Sequence, residues 1–332
     1  MRSLSIGIIL LGAAFGAAAQ QPATPACDRA CLERYVDRYL EAMLANDPSP
    51  ELFAIGTRFT ENGIQLPLGN EGLWYGMSGI GGYKFYVPDV ETQQVAFIGT
   101  VRENLANAGV NDGQGNLVAL ALRLKIANGK IAEVEQLAIR PEQDLFGGNA
   151  AANRPFPPTG EAVEAMGEPH AIFMEAIPEA ERMSRDDLIV TANYYFDGLQ
   201  RNDGKGYYPF TDDCERYENG IKTTNVPRTD QETGETRVMG CKEQFEKALR
   251  GVVSRIRDRR FVAVDRERGN VFAFGFFDHD RLNWTWQLAE IFKIEKGQIR
   301  RIEAVFHRAP YGINSGWSTF EQGMSEAIQV VR

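Results

Sequence analysis

The sequence predicts an α+β fold built twice in one chain: two domains, each a curved antiparallel sheet with about three helices, packed on each other as an internal pseudo-dimer. Three observations predict it. The first is repetition. Glu61-Asn62-Gly63-Ile64 returns as Glu218-Asn219-Gly220-Ile221, and Phe85, Asp89, Glu91, Val95 and Gly99 return at identical spacing as Phe261, Asp265, Glu267, Val271 and Gly275. Residues 125–140 then return as 293–308, with Gly129 and Gly297, Ile131 and Ile299, Glu135 and Glu303, Arg140 and Arg308 in register. The blocks keep their order, and a period of half the chain is far too long for a solenoid. Second, each copy opens on a helical stripe of apolar residues. Third, the late strands are apolar on both alternating faces.

In chain order, residues 1–19 read as a targeting segment. Arg2 gives a positive start, an apolar stretch follows, and Ala17-Ala18-Ala19 offers a small-residue cleavage site. The stretch is too short to anchor in a bilayer, so periplasmic or secreted localisation is expected. The first domain is placed at 27–140. It opens on a helix carrying Leu32, Tyr35, Val36, Tyr39, Leu40 and Met43 on one face. A strand pair follows near 58–65, then a glycine- and aromatic-rich stretch at 72–82. Residues 141–183, with Gly147-Gly148, Pro155, Pro157-Pro158 and Gly160, read as a linker, with a short helix near 171–180.

The second domain is placed at 184–332. Leu188, Ala192, Tyr195, Phe196 and Leu199 give its opening helix, and strands follow within 209–221. A second helix is expected over 242–258, from Phe245, Leu249, Val252, Val253 and Ile256, with the basic run 255–260 coating its end. Four strands close the copy at 261–265, 271–278, 283–294 and 298–308, joined by tight turns at Glu267-Arg268-Gly269-Asn270 and Glu295-Lys296-Gly297. Phe272, Phe274 and Phe276 point one way, and Val271, Ala273 and Phe277 the other. A sheet buried on both sides needs two covers, its own helices and the sister sheet.

Composition bounds the partners. At 332 residues, 43% of them hydrophobic, the chain can bury two cores. A net charge of -9 with no long Lys/Arg block argues against nucleic acid and anionic lipid. No later segment is long and apolar enough for a membrane span. Four cysteines in an oxidising context read as structural bridges, Cys214 with Cys241 and Cys27 with Cys31. A CxxxC metal or redox site lacks neighbouring ligands. Fused copies already satisfy the pairing that lone domains seek, so a monomer is the expectation.

The order helix, strand pair, helix and four-stranded antiparallel sheet resembles the nuclear transport factor two-like superfamily in both copies. So does the text Tyr194-Tyr195-Phe196-Asp197-Gly198-Leu199, the run Pro209-Phe210-Thr211-Asp212-Asp213, and the closing hairpin at Ile294, Gly297 and Ile299. The resemblance covers about two thirds of the chain beyond its targeting segment. It implies cone-shaped domains with an apolar pocket, a few Asp, His, Tyr or Arg side chains, and no cofactor. Members resembling this chain include ketosteroid isomerases, scytalone dehydratases, limonene epoxide hydrolases, SnoaL-like cyclases and formaldehyde-releasing diarylpropane lyases; others only bind partners. Fold alone therefore does not decide function.

No metal, nucleotide or nucleophile motif stands out, and Gly79-Ile80-Gly81-Gly82 is wrongly spaced for a dinucleotide loop. Acid–base work needs only titratable groups in an apolar cavity. His307 shares a strand face with Glu303 and Val305, and Trp284, Trp286 and Leu288 share a face of the neighbouring strand. If both faces line one cavity, His307 is the acid or base; otherwise it is a strand-end residue bonded to backbone. His279, between Asp278 and Asp280, reads as a pocket-rim residue rather than a metal ligand. Asp212 and Asp213 stand where the resemblance implies a catalytic carboxylate, against a turn or cap role. Tyr194, Tyr217 and Arg216 are candidates to hold a substrate oxygen, Trp284 and Trp286 to wall the pocket. Tyr195 fits the apolar stripe, and Arg140 and Arg308 read as a shared salt bridge with Glu135 or Glu303. The aromatic cluster Trp74, Tyr75, Tyr83, Lys84 and Tyr86 reads as structural. Asn283-Trp284-Thr285 is a formal glycosylation sequon expected inside a strand.

The expected function is a cofactor-independent lyase, dehydratase or isomerase step on a small hydroxylated, hydrophobic or aromatic molecule. The alternative is a non-catalytic ligand- or protein-binding module.

Overall fold

The computed structural model describes residues 26–141, 157–229, 234–329 and 331; residues 1–19, expected to be a targeting segment, lie outside them. Helix α1 (Arg29–Leu44) starts where the Asp28 side chain accepts from the Cys31 amide, and it buries Leu32, Val36, Tyr39, Leu40 and Met43. Strands β1 (Phe53–Glu61) and β2 (Ile64–Gln65) form a hairpin through Asn62 and Gly63, both at positive φ. After the short α2 (Leu73–Gly76), strands β3 (Met77–Asp89), β4 (Gln94–Glu103), β5 (Asn116–Ala127) and β6 (Lys130–Ile139) run as an antiparallel meander. The sheet order is β2-β1-β6-β5-β4-β3, with β1 and β6 parallel.

The connecting segment carries α3 (Thr159–Glu164) and α4 (Ala171–Met174), so its expected helix is a single turn. The second half repeats the order. It comprises α5 (Arg185–Leu199), β7 (Phe210–Glu218), β8 (Ile221–Lys222), a small hairpin of β9 (Pro227–Thr229) and β10 (Thr236–Val238), and α6 (Cys241–Lys247). Four long strands follow: β11 (Arg255–Asp265), β12 (Asn270–His279), β13 (Trp284–Glu295) and β14 (Gln298–Pro310). The chain ends on α7 (Phe320–Met324) and β15 (Ile328–Gln329), which extends the sheet to β15-β11-β12-β13-β14-β7-β8.

Each sheet has two covers. One face packs on its own helix, around Tyr39 and Phe97 in the first half and around Tyr195, Phe196 and Phe292 in the second. The other faces meet, burying Phe85, Ile98, Ala121 and Leu137 against Val262, Phe272, Phe274, Ile291 and Val305. Burial on this scale supplies most of the force joining the halves. Charged groups cross it in pairs: Arg260 donates twice to Glu135 at 2.7 Å, and the Tyr83 hydroxyl donates to Glu303 at 2.7 Å.

The helix expected over 242–258 is corrected. α6 stops at Lys247, Gly251 turns the chain at φ 63°, and β-branched Val252 and Val253 lead into β11 at Arg255. The basic run therefore does not coat a helix end. Arg257, Arg259 and Arg260 are buried in a strand and each is paired with an acid: Arg257 with Asp278 at 2.9 Å, Arg259 with Asp197, Arg260 with Glu135. A bulge at Asp258, φ 50°, lets Arg257 and Arg260 both reach the sheet interface. Both disulfides are present, Cys27–Cys31 at the head of α1 and Cys214–Cys241 tying β7 to α6. Among the described residues, no helix is long and apolar enough to cross a membrane.

Candidate ligand-binding site

Register decides which side chains can meet. In the β13–β14 pair, His307 lies opposite Gln287, and Trp286 lies opposite Arg308. Directly opposed residues project to the same side of a sheet, and neighbours along a strand to opposite sides. His307 therefore shares the sheet–sheet face with Val305 and Glu303, while Trp284, Trp286, Leu288 and Phe306 face α5. The His307–tryptophan pocket is overturned. His307 is buried, with Nε2 placed 3.3 Å from Gln287 Oε1, and burial pushes its pKa down to about 4. It is a neutral interface residue.

The histidine that does meet the tryptophans is His279. It ends β12 opposite Trp284, and its ring centroid lies 4.2 Å from those of both Trp284 and Trp286. Phe306 backs Trp286 at 5.2 Å. This aromatic corner walls an open cleft of about 730 Å³, completed by Val252, Val253 and Leu282. Two polar atoms at the wall, His279 Nε2 and Trp286 Nε1, are buried without a hydrogen-bond partner. Burial lowers the His279 pKa, more than its hydrogen bond to the Val252 backbone raises it, so the imidazole is neutral at pH 7. Arg201 and Arg281 also line the cleft, and the Arg308 guanidinium lies 5.1 Å over the Trp284 ring.

Deeper on the same face of β13 sits a residue that sequence reasoning missed. Glu290 is 2% exposed, and burial pushes its pKa up to about 8, so it is largely protonated at neutral pH. The Tyr195 hydroxyl bonds both Glu290 and Arg216. Arg216 in turn donates to Gln244 at 2.6 Å and pairs with Glu218 at 3.2 Å. Glu290 Oε2 and Arg216 Nη1 are left without partners. The signal was a lone carboxylate in the period-two apolar run Trp284, Trp286, Leu288, Phe292, Ile294.

The other expected site residues are dispersed. Asp212 and Asp213 are exposed on β7, and Asp213 pairs with Arg300 at 3.4 Å, so neither reaches a cavity wall. Tyr194 packs edge-on against Tyr207 at the surface, 5.0 Å between centroids. Tyr217 lies under Arg301 at 4.5 Å, and Arg301 also pairs with Glu303 across the sheet face. Arg216 is enclosed by the protein. Arg140 and Arg308 do not share a salt bridge with Glu135 or Glu303: Arg140 pairs with Glu61 and Glu103, and Arg308 stacks on Trp284. Trp74 and Tyr83 are buried core residues, while Tyr75 is exposed. Asn283 sits in a left-handed turn before β13 rather than within a strand.

A family described as a domain of unknown function, DUF8021, matches residues 181–306. No curated protein matches the chain. Among solved structures it is similar to one titled "Crystal structure of a de novo designed protein with curved beta-sheet", at 17% identity and a TM-score of 0.25, covering 37% of this chain and 88% of that one.

Proposed function

We propose that this is a periplasmic or secreted protein whose second domain, a cone of the nuclear transport factor two-like kind, binds a small hydroxylated aromatic molecule in the cleft walled by Trp284 and Trp286. The observation that carries the reading is the pair of unsatisfied atoms in the aromatic corner of the cleft. Leaving a buried donor or acceptor unmet costs about 1–3 kcal/mol. Trp286 Nε1 can only donate and the neutral imidazole offers an acceptor, and a ligand hydroxyl, which both donates and accepts, suits either atom. A cleft of 730 Å³ falls within the range that encloses a small organic molecule.

Tryptophan fluorescence titrated with a panel of phenols, phenolic acids and terpenoids tests it. Saturable quenching is expected, weakened about tenfold by Trp286→Phe, which keeps the ring but removes the donor. Quenching by no compound, or equal affinity in wild type and variant, overturns the reading. A second reading is favoured by the unpartnered Nε2 of His279 in the cleft lining: a neutral imidazole there can take a proton from a bound molecule and drive an isomerase or lyase step without a cofactor. Mass spectrometry of the same panel after incubation decides between them, with product formation lost in His279→Ala expected for catalysis.

A further inference from the structure

We infer that the ligand of the second-domain cleft carries a carboxylate, which pairs with Arg308; the compound class is a hydroxylated aromatic acid. The inference rests on the cleft reading above and takes the first domain as its internal reference.

The two sheets correspond residue for residue at this place. In the first, Glu103 ends β4 opposite Asn116; in the second, His279 ends β12 opposite Trp284. Arg140 follows β6 where Arg308 lies on β14. The first-domain arginine is clamped by its own chain. Glu103 takes Nε at 2.7 Å and Nη2 at 2.8 Å, and Glu61 takes Nη2 at 2.8 Å.

The second domain has dismantled that clamp. Glu103 is replaced by the neutral His279, and the counterpart of Glu61, Glu218, is spent on Arg216. Among the described residues, Arg308 has no carboxylate within ion-pair reach and rests on the face of Trp284. Arg281, which lines the cleft, likewise pairs with no acid, while Arg201 is held by Glu326 at 2.7 Å. Arg308 is exposed and lies beside the cleft, not in its lining, on the ring of the Trp284 that walls it, and its sister in the first domain binds a carboxylate bidentately; the lining itself holds Asp280 alongside Arg281 and Arg201. A ligand carboxylate at Arg308 takes the place that the Glu103 carboxylate takes at Arg140, with its ring against the tryptophan wall.

The test compares 4-hydroxybenzoate, its methyl ester and 4-hydroxybenzyl alcohol by fluorescence titration of the full chain. The acid is expected to bind at least about tenfold more tightly than either neutral analogue, with the preference falling as salt rises. Arg308→Gln is expected to remove the preference, so that acid and ester bind that variant with equal affinity. His279→Glu, which rebuilds the first-domain pair, is expected to exclude the acid. Equal affinity of acid and ester in wild-type protein overturns the carboxylate inference and leaves the cleft reading standing. No binding of any of the three, by wild-type protein of native circular dichroism, overturns both.

Discussion

The two halves of this chain share strand registers and differ in what fills the space between sheet and helix. In the first half the polar groups there are matched. The Tyr39 hydroxyl donates to Gln136, Gln136 donates to Glu61, and Glu61 also takes the Leu73 amide and Arg140. In the second half the equivalent tyrosine, Tyr195, meets Glu290 and Arg216, at positions where the first half has Leu122 and Phe59. One half is sealed by its own side chains, while the other keeps a buried acid, a buried arginine and an open aromatic cleft. The same backbone plan tolerates both, so the unmatched polar atoms of the second half are not demanded by the fold. Groups that cost stability and are not demanded by the fold are candidates for function.

The sharpest way to break this comparison is to remove the cation. Arg216→Leu leaves Glu290 and Glu218 without it inside the second half, and a loss of about 3–5 kcal/mol is expected in urea denaturation. Phe59→Leu, the matching change in the first half, should cost about 1 kcal/mol, as a reshaping of apolar volume only. Adding Glu290→Leu to Arg216→Leu should recover a large part of the loss, because the stranded acid goes with it. A loss below 1 kcal/mol for Arg216→Leu would mean that the network is solvated and the contrast between the halves is superficial.

Much of this architecture was legible because it rests on periodicity. The repeat, the opening helices, the closing hairpins and the two apolar faces of Phe272 and Val271 all follow from spacing alone. The failures come from places where tertiary partners override local pattern. The 255–260 run looks like a helix end until Asp278, Asp197 and Glu135 are present to neutralise it, and those partners are 21 to 125 residues away. His307 failed for a different reason. Strand alternation fixes which residues share a face but not which face turns toward the helix, and a single residue of register exchanges His307 for Arg308. His279 and the tryptophans were singled out separately; only the β12–β13 register brings them together.

The disulfides sharpen the comparison at the level of the chain. Cys214–Cys241 spans 27 residues and joins two buried positions, and Cys27–Cys31 spans 4 at the edge of the first core. Replacing the first pair with serine is expected to cost about 3.5 kcal/mol and the second about 2, from the loop entropy each removes from the unfolded chain. Thermal denaturation of the two double variants, unreduced, measures the difference. Equal losses would mean that the excursion between Cys214 and Cys241 is held by packing alone.

The subtlest contrast is in protons, and Glu290→Gln isolates it. The first half has Leu122 at this place and nothing to titrate. Glu290 has a folded pKa pushed up to about 8 from an ordinary value of 4.5, the direction produced by burial. A raised carboxyl binds more protons folded than unfolded, so its stability is fully present below pH 4.5 and is lost as pH rises through about 8. Gln keeps the shape and stays neutral. The variant should therefore match wild type near pH 4 and gain about 4 kcal/mol over it by pH 8, a shift that already includes the opposing pull of Arg216. The difference between the two proteins cancels the contributions of His279, His307 and Glu303, which titrate alike in both. A gap that stays constant from pH 4 to pH 8 would show that folding leaves the Glu290 pKa unshifted, its burial offset by Arg216, and the second half as well matched inside as the first.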